Sequence, residues 1–322
     1  MSPGWLCKKV SITKLAILIR GVFQLKWSGV WNDTRNPNWS SDFMPPDRST
    51  VSPATDSSYS NPCRSLPFFQ RIYAFHHARR FEWLRSKITS LGKKEISVIE
   101  LGCNDARSVE YISVPIRRYL GLDAGWQSGW KNGKAYGLEA AQVRFRNRPH
   151  FEFRRSERCE DLERVPGKFD VAIVLETFEY LEPSKLEAYV TTLSEKLNDG
   201  GTIVSTMPNE KGVPLLVKAV GSWLSGVPRS GYTPAQFCNA LIGRLGRVPR
   251  GIRGRRGFDY QVMSEIIQRY FPHGYLESVE PASAPLWFSL NVGLVASKAV
   301  IPRALESGVQ VDHSYAGGVT CR

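Results

Sequence analysis

Residues 96–108 read ISVIELGCNDARS, and this stretch decides the fold. Ile96, Val98 and Ile99 form a short β-branched run, the composition of a strand buried on both faces of a parallel sheet. The run ends in a carboxylate, Glu100, and then Gly102. Cys103, Asn104, Asp105 and Ala106 are small or turn-prone, and they let backbone approach a ligand closely before a helix opens near residues 107–112. A strand, a tight turn and a helix start together point unpaired N–H groups at a bound group. Twenty-three residues past Glu100, a second apolar run, Tyr119-Leu120-Gly121-Leu122, ends in Asp123. A carboxylate at the tip of the neighbouring strand accepts hydrogen bonds from both ribose hydroxyls, so the pattern suits an adenosine-containing cofactor.

A dinucleotide fold would place glycines at the second and third positions of GxGxxG, where backbone meets a pyrophosphate. Asn104 and Ala106 stand there instead, which argues against NAD and FAD. Asn is the non-glycine residue that best tolerates positive φ, so the turn itself survives the exchange.

Beyond this stretch, strand and helix alternate. Residues 150–155, HFEFRR, carry alternating aromatics, and residues 169–175, FDVAIVL, form a near-continuous apolar run ending at Glu176. Residues 184–197 read as a helix with Ser184 as N-cap and a stripe of Leu186, Tyr189, Leu193 and Leu197. Asn198-Asp199-Gly200-Gly201 ends it, and residues 202–206 resume a strand. This order implies a parallel sheet with right-handed crossovers. Before it, residues 69–90 read as one long helix with a stripe of Phe68, Ile72, Phe75, Leu84, Ile88 and Leu91. The adjacent pair His76 and His77 point two ways on a helix, which suits a substrate-facing or solvated role better than a metal. After it, two helices near 213–224 and 234–245, a third from Gly257 to Tyr270, and strands at 275–279 and 286–296 complete the pattern.

Residues 1–66 lack periodicity over most of their length and read as a poorly ordered leader and linker, and residues 301–322 as a disordered tail. The domain between them spans 67–300. The longest apolar run near the start, residues 15–19, is far too short to span a bilayer. The six cysteines show no paired or metal-type spacing, as expected of reduced thiols in a cytoplasmic protein. The net charge of +13 concentrates in residues 244–256, where six arginines (Arg244, Arg247, Arg250, Arg253, Arg255 and Arg256) occur with no acid. Such a block is either a solvated loop or a surface for nucleic acid, anionic lipid or an acidic substrate. The lack of interleaved aromatics argues against nucleic acid.

Together these segments resemble a class I S-adenosylmethionine-dependent methyltransferase of the small-molecule, lipid or sugar type. Glu100, Leu101, Gly102 and Cys103 match its first motif, and Asn104 and Ala106 depart from it. Asp123 matches the ribose-binding acid. Cys159-Glu160-Asp161-Leu162 resembles the loop that edges the adenine. FDVAIVLETFEYLE, residues 169–182, is similar to the fourth-strand motif, with Tyr180 where His is usual, and residues 197–209 match the fifth-strand region. The resemblance implies a Rossmann-like, seven-stranded, mostly parallel sheet with helices on both faces. It also implies a helical, Arg-rich substrate cap, residues 210–262, inserted after the fifth strand. It implies S-adenosylmethionine as cofactor, held by Glu100, Gly102, Cys103, Asn104, Asp123, Cys159, Glu160, Leu175 and Glu176. Glu179, Tyr180 and His76 are the candidate catalytic groups, and no metal is implied. The expected acceptor is a small molecule, sugar or anionic glycolipid, methylated on oxygen. Peripheral contact with the membrane through the arginine block is a further expectation. An RNA methyltransferase and a non-catalytic cofactor-binding protein are the alternatives.

Overall fold

The computed structural model describes residues 67–224, 231–251 and 254–299, with side chains from residue 78 to residue 222 and through the two later stretches. The expected leader and tail, and the side chains of Phe68, Ile72, Phe75, His76 and His77, lie outside the described residues, as does Arg253.

The chain enters on α1 (Pro67–Ser90) and continues through β1 (Ile96–Leu101), β2 (Ile116–Asp123), β3 (Gly129–Lys131) and β4 (Lys134–Tyr136). Next come α2 (Leu138–Phe145), β5 (Phe151–Arg155), α3 (Cys159–Glu163), β6 (Phe169–Leu175), α4 (Pro183–Lys196) and β7 (Leu197–Pro208). Helices α5 (Gly212–Leu224), α6 (Pro234–Leu241) and α7 (Tyr260–Tyr270) precede the final strands β8 (His273–Glu280) and β9 (Asn291–Ser297).

Seven strands form one sheet in the order β5-β2-β1-β6-β7-β9-β8, and β3 and β4 form a separate two-stranded ribbon. The pairs β1–β2, β1–β6, β2–β5 and β6–β7 are parallel, and β9 runs antiparallel to both β7 and β8. The expected Rossmann-like sheet is therefore present. The order reverses between β1 and β6, and in such a sheet the ligand crevice lies beyond the carboxyl ends of the strands at that switch point.

Side-chain alternation divides the core between the two faces. Ile99, Leu101, Leu120, Leu122, Ala172 and Val174 pack with Leu162, Leu186, Tyr189, Leu193, Met263 and Ile267 of α3, α4 and α7. Ile96, Val98, Tyr119, Val171 and Ile173 pack with Phe81, Leu84, Ile88, Ala141 and Phe145 of α1 and α2. Successive residues of each strand thus serve opposite layers, as the period of two requires. Where α1 crosses the last strand, Gly293 makes the room: a Cβ there would lie 2.3 Å from the Trp83 ring. The Trp83 indole N–H donates to Glu277 of β8, so its polar edge is satisfied.

Several local expectations change. No α-helix opens after the Gly102 turn; residues Arg107–Tyr111 form only a short 3-10 turn. Its Ser108 hydroxyl is pulled inward onto the Glu100 carboxylate, and the bond from Val109 N–H to Ala106 O spans three residues instead of four. The expected loop after the third strand begins as α3. The helix expected over 234–245 stops at Leu241, because Gly243 takes a left-handed φ of 78°. The ribbon of β3 and β4 and helix α2 had no sequence signal, since two three-residue polar strands carry no periodicity to read.

Candidate active site

The crevice is built on the turn from Gly102 to Ala106. Gly102 N–H and Cys103 N–H both bond to Leu122 O, at 2.7 and 3.1 Å, which seats the turn on the end of β2. Gly102 has φ 77°, and a Cβ there would sit 2.1 Å from Thr177 Oγ1. That threonine donates its hydroxyl to Leu101 O or Leu175 O, each 3.1 Å away, and so bridges the ends of β1 and β6. Asn104 and Ala106 both lie in the left-handed region, with φ of 47° and 53°. They therefore keep the backbone path that glycine would take, at a cost of about 1 kcal/mol or more each.

Asp123 closes the turn from the side. Its Oδ2 accepts from Asn104 N–H at 2.9 Å and its Oδ1 from Gly125 N–H at 2.7 Å. Each carboxylate oxygen retains further lone-pair capacity for a ligand hydroxyl. Glu100 lies beneath the turn and is buried. It accepts from both Ser108 and Tyr119, tying the short 3-10 turn to β2. Burial pushes its carboxyl up to about 7, although the two hydroxyl donors pull the other way. Glu100 therefore positions the turn from behind. Cys103 packs against Gly121, whose Cβ would meet the Cys103 sulfur at 2.8 Å. Burial raises its thiol well above the ordinary value, which removes it as a nucleophile.

At the third-strand end, Cys159 Sγ lies 3.3 Å from Thr192 Oγ1 of α4. Glu160 is exposed in the first turn of α3, while Asp161 accepts from the N–H groups of Glu157 and Arg158 as the helix cap.

The opposite wall follows β6. Glu176 continues directly from Leu175, is buried, and has φ 49°. Its carboxylate is anchored from several sides. Arg80 of α1 and Arg255 each reach Oε2 at 2.8 Å, and Asn291 at the start of β9 donates to Oε1 at 2.8 Å. Glu179, in the short 3-10 turn Phe178–Tyr180, is fully buried. Among the described residues neither of its carboxylate oxygens has a hydrogen-bond partner, and Arg255 Nε stands 3.6 Å from Oε1. Burial, with the nearby Glu176 charge, pushes Glu179 up to about 7 against the pull of Arg255. Tyr180 next to it is partly buried, and burial raises its hydroxyl pKa.

The arginine block, expected to be a solvated or acceptor-facing segment, is divided by the structure. Arg250 Nη2 lies 3.3, 2.9 and 3.4 Å from the carbonyls of Phe178, Glu179 and Leu181, and its guanidinium covers Phe258 at 4.6 Å. Arg255 turns to Glu176 and Glu179. These two arginines fasten the segment down over the β6 wall, whereas Arg244 and Arg247 remain exposed. A sequence with no nearby acid gives no sign of this, because the partners are about 70 to 80 residues away. Asp259 is committed as well: it caps α7 and pairs with Lys211 at 3.0 Å. Among the described residues no group of three or more His, Cys, Asp and Glu is placed to hold a metal.

Comparison with known proteins identifies the family. The methyltransferase-domain family matches residues 75–241. No curated protein matches the sequence. Among solved structures, the methyltransferase domain of bacterial CtHen1 is similar at 16% identity, covering 69% of this chain and 98% of that one, with a TM-score of 0.44. Magnesium protoporphyrin IX methyltransferase (ChlM) from Synechocystis PCC 6803, with bound SAH, is similar at 12% identity, covering 72% and 88%, with a TM-score of 0.45. The N-methyltransferase NodS from Bradyrhizobium japonicum WM9 is similar at 12% identity, covering 67% and 94%, with a TM-score of 0.40.

The residues present fit the family's cofactor. The glycine-like turn survives at Asn104 and Ala106, Gly102 leaves no room for a side chain, and Asp123 stands at the tip of β2 with acceptor capacity to spare. The match over more than half of its length shows that the chain belongs to the methyltransferase-domain family, as an enzyme that uses S-adenosylmethionine.

Proposed function

We propose that the enzyme methylates an oxygen atom of a small-molecule acceptor of the sugar or lipid-linked kind, with Glu179 taking the acceptor's proton. When bound, the cofactor supplies an electrophilic methyl group. The turn from Gly102 to Asp105 and the Asp123 carboxylate would hold its methionine and ribose parts. The protein's remaining task is to align the acceptor and exclude water.

The observation that carries the oxygen acceptor is the Glu179 carboxylate. It is fully enclosed one turn beyond β6, its oxygens have no hydrogen-bond donor among the described residues, and its pKa of about 7 suits a general base at neutral pH. An acceptor hydroxyl is the donor it lacks. Arg255, 3.6 Å away, would hold the carboxylate in place and leave it ionised for part of the time. The segment carrying Arg250 and Arg255 covers this carboxylate, so the acceptor reaches it when that segment moves aside. Tyr180, only partly buried, would face the mouth.

The test is transfer of labelled methyl from S-adenosylmethionine to sugar and lipid extracts, with Glu179→Gln as comparison. Transfer should fall by roughly 10²- to 10⁴-fold in the variant, with affinity for S-adenosylhomocysteine unchanged. Full activity in Glu179→Gln would remove that residue from the chemistry, and transfer confined to nitrogen would remove the oxygen acceptor.

A further inference from the structure

Between Lys211 and Phe258 the sequence holds nine basic residues and no acid. The structure divides them. Lys211, Lys218, Arg250 and Arg255 turn inward onto Asp259, Glu210, main-chain carbonyls and Glu176. Arg244 and Arg247 stay exposed, in the turn that follows α6. The neighbouring elements carry exposed apolar side chains. Ile242 at the end of α6 is 64% exposed and Trp287 is 65% exposed. Val213 in the first turn of α5 is exposed too.

These positions belong to one edge of the molecule. Helix α5 leaves the carboxyl end of β7 and packs against both α6 and the 3-10 turn Leu286–Phe288. Asn209, just after β7, fixes that turn by donating to Leu286 O at 3.1 Å. All of this stands at the crevice edge of the sheet. Large aliphatic and indole side chains flanked by arginine gain by entering a lipid interface, where the rings sit at headgroup level and the cations meet anionic lipid. Val213 and Ile242 are aliphatic and gain nothing from stacking on bases, so of the apolar anchors Trp287 alone would serve nucleic acid, which favours lipid.

We infer that the surface made by Val213, Ile242, Arg244, Arg247 and Trp287 docks the enzyme on an anionic lipid bilayer. Docking there brings the crevice mouth to the membrane. The purpose of this arrangement rests on the lipid-linked reading of the acceptor; the docking itself is measured without it.

The experiment is cosedimentation of the full chain with vesicles of phosphatidylcholine alone and with 30% phosphatidylglycerol. Binding is expected to the anionic vesicles only and to weaken with salt. Arg244→Gln with Arg247→Gln should lower the partition constant roughly 30-fold, and Ile242→Ser with Trp287→Ser should also lower it. Affinity for S-adenosylhomocysteine should stay unchanged in both, which reports a folded crevice. Equal binding of all variants would overturn the inference, since another part of the chain would then hold the membrane. So would tighter binding to a single-stranded RNA oligomer that weakens in the same variants. Docking combined with transfer only to water-soluble acceptors would uphold the surface and remove the lipid-linked acceptor. Transfer to a lipid-linked acceptor without vesicle binding would overturn the surface alone.

Discussion

Arg255 Nη2 donates to Glu176 Oε2 at 2.8 Å, joining the segment after α6 to the residue that follows β6. The same guanidinium lies beside Glu179, so one cation serves two buried carboxylates. Together the carboxylates raise the Arg255 pKa well above its ordinary value despite the opposing effect of burial. Removing it strands charge instead of merely deleting a contact. Arg255→Leu is expected to destabilise the fold by about 2–3 kcal/mol, a buried-pair cost reduced because the side chain is 32% exposed. Urea unfolding checks this, and a loss below about 0.5 kcal/mol would show that the pair is dispensable.

Gly102→Ala should be worse for binding than its size suggests. The added methyl would lie 2.1 Å from Thr177 Oγ1 in a left-handed backbone. Titration with S-adenosylhomocysteine should show at least a tenfold loss of affinity, on the order of 1.4 kcal/mol. Adding Thr177→Ala should restore only part of it, because the φ of 77° remains unfavourable for alanine.

Asn104→Gly tests the opposite idea, that the turn needs a conformation and not that particular side chain. Glycine at φ 47° relieves strain, so stability should stay level or rise by up to about 1 kcal/mol. Affinity for S-adenosylhomocysteine should remain within threefold. A tenfold loss would mean that the Asn104 side chain binds the cofactor directly.

Glu100 sets a pH dependence with a definite sign. Its folded pKa, about 7, lies above the ordinary carboxyl value of 4.5, so the folded state holds the proton more tightly. The stability this group contributes is fully present below about 4.5 and is lost as pH rises through 7. The total is on the order of 3 kcal/mol for a fully buried carboxyl. Glu179 acts in the same direction. Unfolding free energies at pH 5 and pH 8 should differ less in Glu100→Gln than in the wild type. An unchanged difference would place the proton elsewhere.

The sheet was readable because its strands obey simple rules. FDVAIVL is apolar at every position but Asp170 since β6 is covered on both faces, and Asp123 is recognisable by its distance from Glu100. The turn was readable in kind but not in detail. Asn104 suggested a left-handed residue, whereas nothing about Ala106 did, because alanine adopts φ 53° only when the surrounding bonds force it. The inward arginines were not readable at all. Whether a guanidinium faces water or a carboxylate depends on partners that only the folded chain brings close. Glu176 illustrates the same limit: the sequence marked it as a strand-end acid, and the structure makes it the meeting point of Arg80, Arg255 and Asn291.

The fit of Trp83 into the space at Gly293 has a consequence for biosynthesis. Trp83 of α1 finds its seat on strands β8 and β9, and its hydrogen-bond acceptor Glu277 lies 194 residues further along the chain. Until β8 and β9 have emerged, α1 can pack on β1 and β6, but the Trp83 indole has neither its seat nor its hydrogen-bond acceptor. Closure of this contact over so long a sequence separation is therefore expected to be a slow event in folding.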